Sequence, residues 1–144
     1  MAIINKEITI NAPPHKIFNF FRKPSNLTQI WPALILIKNE QLLPSGGYSF
    51  EYVYKMAGMQ LEGTGAFADI SPNNWFSIKT KGAVDSIITW TFRSIDRQTR
   101  VTLTIDYHVP SALVSWLTGA IIVKMNEQEA ELILANLRTI LEES

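Results

Sequence analysis

The chain has 144 residues, with 13 Lys+Arg against 13 Asp+Glu, 47% hydrophobic and 18% charged residues. That length suits one domain, expected over residues 1–144, since domains run to roughly 100–200 residues. The apolar content argues against disorder and the balanced charge against a nucleic-acid surface. No cysteine is present, which excludes disulfide scaffolds, zinc–thiolate sites and thiol nucleophiles.

Ile3–Ile10 reads as a strand in which Ile4, Ile8 and Ile10 alternate imperfectly with Lys6 and Thr9. Its pattern is not that of a signal peptide. Asn11-Ala12-Pro13-Pro14 turns the chain, and Ile17, Phe18, Phe20 and Phe21 then recur at helical spacing, so a short helix is expected from Pro13 to about Lys23. Pro24 stops it, Ser25 is placed to cap a second short helix through Ile30, and Trp31-Pro32 ends that one. The period then changes to two. Leu34–Leu43 reads as a strand, Pro44-Ser45-Gly46-Gly47 as a hairpin turn, and the next strand puts Tyr48, Phe50, Tyr52, Tyr54 and Met56 on one face. Met59–Ile70 follows, with Gly63 and Gly65 expected to mark a bend or bulge.

After a turn at Ser71–Asn74, Trp75–Lys81 is a further strand. Val84, Ser86, Ile88, Trp90 and Phe92 then share one face, and beyond Asp96-Arg97-Gln98 so do Val101, Leu103, Ile105, Tyr107 and Val109. Such alternation belongs to antiparallel strands with one covered and one wet face. The apolar stretch Val109–Val123 is too short for a membrane span, which needs about 20 residues. A final helix is expected from Thr118 to Glu142. Val123, Ala130, Leu134, Leu137 and Leu141 form one ridge on it, with Ile122, Ile133 and Ile140 beside them. At 1.5 Å per residue such a helix is about 37 Å long and crosses a whole sheet. The fold class is therefore α+β: a curved antiparallel sheet of about seven strands wrapped on one long C-terminal helix.

The β-α-α-β(6)-α order over the whole chain, Ala12-Pro13 leading into the first helix, Ile17-Phe18 within it, Pro24-Ser25-Asn26-Leu27, Trp31-Pro32 and the Ser45-Gly46-Gly47 turn resemble the SRPBCC (START-like, helix-grip) superfamily. The pattern is most similar to the polyketide cyclase/dehydrase and lipid-transport group. The resemblance implies a deep cavity between sheet and C-terminal helix that takes lipids, sterols, quinones or polyketides. The same shell serves transporters, receptors, cyclases and chaperone activators, so fold does not fix activity.

The residues themselves point toward a cavity through polar groups set on apolar faces. Tyr48, Phe50, Tyr52 and Tyr54 fall in a row at alternate positions. Each fits ordinary core packing, yet three buried hydroxyls on one face each need a partner. Ser86, Trp90 and Tyr107 face inward by the same alternation. Asn126 sits between the two apolar ridges of the last helix, flanked by Ile122 and Ile133. A bond to a sheet residue, a cavity-facing role and an outward turn all remain open for it. Glu129, at the edge of that arc, reads first as a solvated rim residue and second as a group at the cavity mouth. Leu113, Val114, Trp116, Leu117 and Ile121 form an apolar cluster that fits a ligand portal, core packing or a dimer interface alike.

His15 and His108 read as surface residues, and no nucleophile elbow or metal-ligand spacing is present. No catalytic residue, cofactor or metal is therefore expected. The expected function is carriage or reception of a hydrophobic small molecule in the cytoplasm by a monomer or homodimer. No nucleic-acid partner is expected, and membrane contact would be peripheral at most. A cyclase, aromatase or dehydratase using the same cavity is the alternative. A protein-interaction module built on residues 109–122 is a third.

Overall fold

The structure is a computed structural model that describes residues 2–56, 58–82, 84–108 and 119–143. Seven antiparallel strands form one sheet: β1 (Ala2–Ile10), β2 (Leu34–Leu42), β3 (Tyr48–Met56), β4 (Met59–Ser71), β5 (Trp75–Gly82), β6 (Ser86–Ile95) and β7 (Gln98–Tyr107). Their spatial order is β1-β7-β6-β5-β4-β3-β2. Helices α1 (Pro14–Phe20) and α2 (Leu27–Ile30) lie between β1 and β2, and α3 (Gly119–Glu143) closes the chain. No helix among the described residues is long and apolar enough to cross a membrane.

The period-two pattern sets which residues form the core. Ser86, Ile88, Trp90 and Phe92 of β6 and Val101, Leu103, Ile105 and Tyr107 of β7 are buried, while Ile87 and Arg93 face solvent. From α3, Ala130, Ile133, Leu134, Leu137 and Leu141 are buried against the sheet. Each such Leu or Ile contributes roughly 1.5–3 kcal/mol by leaving water. Polar contacts fasten the C-terminal half of α3. Lys16 Nζ donates to the Leu141 carbonyl at 3.0 Å, the Asn11 amide to Glu142 at 2.8 Å, and Asn136 Nδ2 to the Ile30 carbonyl at 3.1 Å.

Several local expectations are corrected. Helix α1 stops at Phe20, because Phe21 caps it and its amide reaches back to Phe18. Ser25 caps nothing with its side chain. The second helix opens as a 3-10 turn over Pro24–Asn26, and the Ser25 amide donates to Glu40 on β2 at 2.7 Å. Strand β6 starts at Ser86 rather than Val84, and the expected extension of β7 to Val109 lies outside the described residues.

Gly63 and Gly65 do not make a bulge, since the register shift in β4 falls between Phe67 and Asp69. They are small because rings lie on them. A Cβ on Gly63 would stand 2.5 Å from the Tyr52 hydroxyl and would also meet the Lys81 carbonyl. One on Gly65 would stand 2.6 Å from the Phe50 ring.

Candidate functional site

Strand alternation selects a face, and position along the strand selects one of two environments beneath α3. Toward the end of β1, the start of β5 and the middle of β6, the interior is solid. Phe21 lies against Trp90 at 4.6 Å and against Phe76 at 5.1 Å, Phe67 stacks on Phe76 at 5.1 Å, and Phe18 meets Phe92 edge-on at 6.4 Å. Toward the start of β1 and β6 and the end of β7, a cavity of about 90 Å³ remains between sheet and helix. One water needs roughly 10–15 Å³ of such space, so there is room for several.

Ile4, Ile78, Ile88 and Ile105 of the sheet, with Ala130 and Ile133 of α3, give the cavity apolar walls. Polar groups meet it at three places. Glu129 Oε1 accepts hydrogen bonds from Tyr54 Oη, at 2.9 Å, and from Trp31 Nε1. Asn126 Nδ2 donates to the Tyr107 hydroxyl at 2.9 Å. At the third, the Val84 carbonyl accepts from Thr80 Oγ1 at 2.9 Å and Tyr52 Oη at 3.3 Å, and Thr80 also pairs with Ser86.

Burial tunes these groups. It raises the Glu129 carboxyl above the usual carboxylate range, against the bonds from Tyr54 and Trp31 that favour the anion. Burial also pushes Tyr54 well up, and the adjacent Glu129 charge adds to it. Tyr52 and Tyr107 rise for the same first reason, opposed by Thr80 and Asn126 respectively. Among the described residues no group of three or more His, Asp or Glu side chains could hold a metal ion.

With this geometry in view, the sequence matches, over residues 1–142, the family described as polyketide cyclase/dehydrase and lipid transport. The chain belongs to that family. Its α+β architecture is the helix-grip fold of the SRPBCC superfamily. Solved structures agree on the fold. TTHA0849 from Thermus thermophilus is 17% identical, with a TM-score of 0.84 and 97% of each chain covered. The Zhui aromatase/cyclase from Streptomyces sp. R1128 is 15% identical, with a TM-score of 0.79, 98% of this chain and 93% of that one covered. The Aha1 dimer from Colwellia psychrerythraea is 18% identical, with a TM-score of 0.68, 99% of this chain and 97% of that one covered. No curated protein matches the sequence.

Within this helix-grip shell the expected site residues divide. Phe50, Tyr52, Tyr54, Ser86, Tyr107, Asn126 and Ile133 border the cavity. Tyr48 and Trp90 do not. Trp90 is fully buried in the solid half among Phe21 and its neighbours, and its Nε1 has no partner among the described residues. Tyr48 lies at the far end of β3, opposite Leu42 of β2. Alternation fixed their face correctly and left their position along the strand open. The side chain of Ile122 lies outside the described residues, as does the apolar cluster from Leu113 to Leu117.

Glu129 is the main correction. It is half-buried and hydrogen-bonded inside the cavity wall rather than solvated at a rim. Asn126 combines two of its three readings, bonding a sheet residue while bordering the cavity. Sequence reasoning missed Thr80 and Trp31 as lining residues. Thr80 was findable, being in step with the inward Phe76 and Ile78 of β5. Trp31 follows α2 at a proline boundary, where no periodicity aims a side chain.

Proposed function

We propose that this protein carries or receives a hydrophobic small molecule, of lipid, quinone, sterol or polyketide-like character, held between its sheet and α3. The observation that carries the reading is an apolar-walled cavity with a few convergent polar groups, the usual makeup of a small-molecule site. Burial of guest surface supplies affinity at roughly 25 cal/mol per Å², and Asn126, Tyr107 and Glu129 orient the guest.

Small-molecule sites commonly measure about 300–1,000 Å³, so a guest of that size widens the present cavity. Over the cavity, α3 is joined to the sheet by the bonds of Asn126 and Glu129 to Tyr107 and Tyr54 and by Lys6 of β1 with Glu127 and Glu131, and its C-terminal half is tied to α1, α2 and the end of β1. The protein acts in the cytoplasm as a monomer or homodimer, touching membranes at most peripherally.

Native mass spectrometry of the purified chain, followed by solvent extraction, tests this reading. An extractable apolar species bound at one per chain is the expected result. A chain that purifies empty and takes up no apolar probe overturns it.

A second reading, a cyclase or dehydratase, is favoured by one observation. Glu129 is a carboxyl of raised pKa at the cavity wall, beside the Tyr54 hydroxyl, which suits general acid–base work. Under that reading Glu129→Gln abolishes turnover of a polyketide-like substrate while leaving its affinity intact. Unchanged turnover rejects it.

A further inference from the structure

We propose that the guest is an uncharged molecule presenting a hydroxyl donor to Glu129, and that the cavity rejects carboxylates, fatty acids included. This rests on the cavity reading and narrows it to a ligand class.

The placement of protons around the cavity defines what a guest must supply. Tyr54 and Trp31 both donate to Oε1 of Glu129, and no described residue donates to Oε2. The second oxygen is an acceptor without a protein partner among them, on a side chain that borders the cavity. At the Val84 corner the hydroxyl protons are committed. Thr80 and Tyr52 donate to the Val84 carbonyl, which leaves Ser86 to donate to Thr80. The Tyr107 oxygen accepts from Asn126, so its own proton is free to reach a guest, and Asn126 Oδ1 is a further acceptor. Asn126 and Glu129 stand three residues apart on α3 and thus share one helix face. Together with Tyr107 they offer two acceptors and one donor, the complement of two hydroxyls that both donate and one of which also accepts.

Charge points the same way, independently of that count. Among the described residues lining the cavity Glu129 is the only acidic one, and no Lys, Arg or His joins it. Lys6 is engaged elsewhere, with Glu131 at 3.2 Å and Glu127 at 3.6 Å. A carboxylate guest would bring a second negative charge into an apolar space with no cation to balance it. Two carboxyls in one such site cannot both ionise cheaply, so one must take up a proton or leave. A neutral alcohol meets no such penalty.

The test uses one alkyl chain with three head groups: decanol, its methyl ether, and decanoate, each titrated calorimetrically into the full chain at neutral pH. Decanol is expected to bind about tenfold or more tightly than the ether, which lacks the donor, and than decanoate. Glu129→Gln is expected to bring decanoate within about threefold of decanol. Decanoate binding as tightly as decanol to the wild-type chain overturns the proposal. So does a decanol-to-decanoate ratio that Glu129→Gln leaves unchanged. Equal binding of all three probes sinks the head-group selectivity alone, whereas binding of none sinks the cavity reading with it. Should Glu129→Gln not fold, the wild-type ratio decides.

Discussion

Along β6, Trp90 and Phe92 point into one half of the interior and Ser86 and Ile88 into the other, yet all four share one face of one strand. The first half is filled by rings from α1, β4, β5 and β6 in mutual contact. The second holds open space, with each polar group on its wall attached to another. In the first half the rings lie directly on one another. In the second, Phe50, Tyr52, Tyr54 and Tyr107 stand with Ile78, Thr80, Ser86 and Ile88 around the cavity, and α3 bridges a gap. Under the proposed function, stability and binding are divided between the two ends of one core.

The largest expected effects set these ends against each other. Phe76→Ala should cost about 3–5 kcal/mol in urea unfolding, because the site is ringed by aromatics that cannot collapse into the hole. On α3, Leu137→Ala and Ile133→Ala both truncate fully buried residues, but only Ile133 borders the cavity. Leu137→Ala should lie toward the upper part of the roughly 2–5 kcal/mol range and Ile133→Ala toward the lower, since Ile133 already lacks neighbours on one side. Equal losses would erase the distinction between the halves.

Gly63→Ala sharpens the comparison from the sheet side. The new methyl meets the Tyr52 hydroxyl and a backbone carbonyl that cannot swing away, so a loss of about 1–3 kcal/mol is expected. Tyr52 should shift into the cavity, read as weaker uptake of an apolar probe. Tyr107→Phe is milder. It removes the acceptor of the Asn126 amide and should cost about 0.5–1.5 kcal/mol.

The smallest effect is a pH dependence. Burial raises the pKa of folded Glu129 above the ordinary carboxylate value, so the native state holds that proton more firmly than the unfolded chain. Stability attributable to Glu129 must then fall as pH rises from the unfolded carboxylate pKa through the higher folded one. The difference in unfolding free energy between wild type and Glu129→Gln, measured across that window, should move in favour of the variant with rising pH. A flat difference would mean that the carboxyl is not desolvated as described.

Much of this is legible in the sequence alone. The β-α-α-β(6)-α order, the inward faces of β3, β6 and β7, and the buried ridge of α3 all follow from periodicity, which local sterics impose on every helix and strand. The two-halves arrangement was not legible. Periodicity gives a residue's face but not which residues of distant strands stand beside it, so Trp90 and Ser86 looked equivalent. Glu129 was misread for a related reason. Its partners Trp31 and Tyr54 are 98 and 75 residues away in sequence, and only their arrival makes burial of a carboxylate tolerable. The glycines of β4 illustrate the same limit, since close approach of a ring and a bulge write the same residue.

Where an apolar guest sits decides whether the two halves differ in function as they do in packing. Isoleucine methyl resonances followed by NMR during a decanol titration test this most directly. Ile78, Ile88, Ile105 and Ile133, which line the cavity, should move together and saturate, while the fully buried Ile10 and Ile17 in the solid half stay fixed. Shifts confined to exposed Ile35 and Ile87, or spread equally over Ile10 and Ile17, would contradict it.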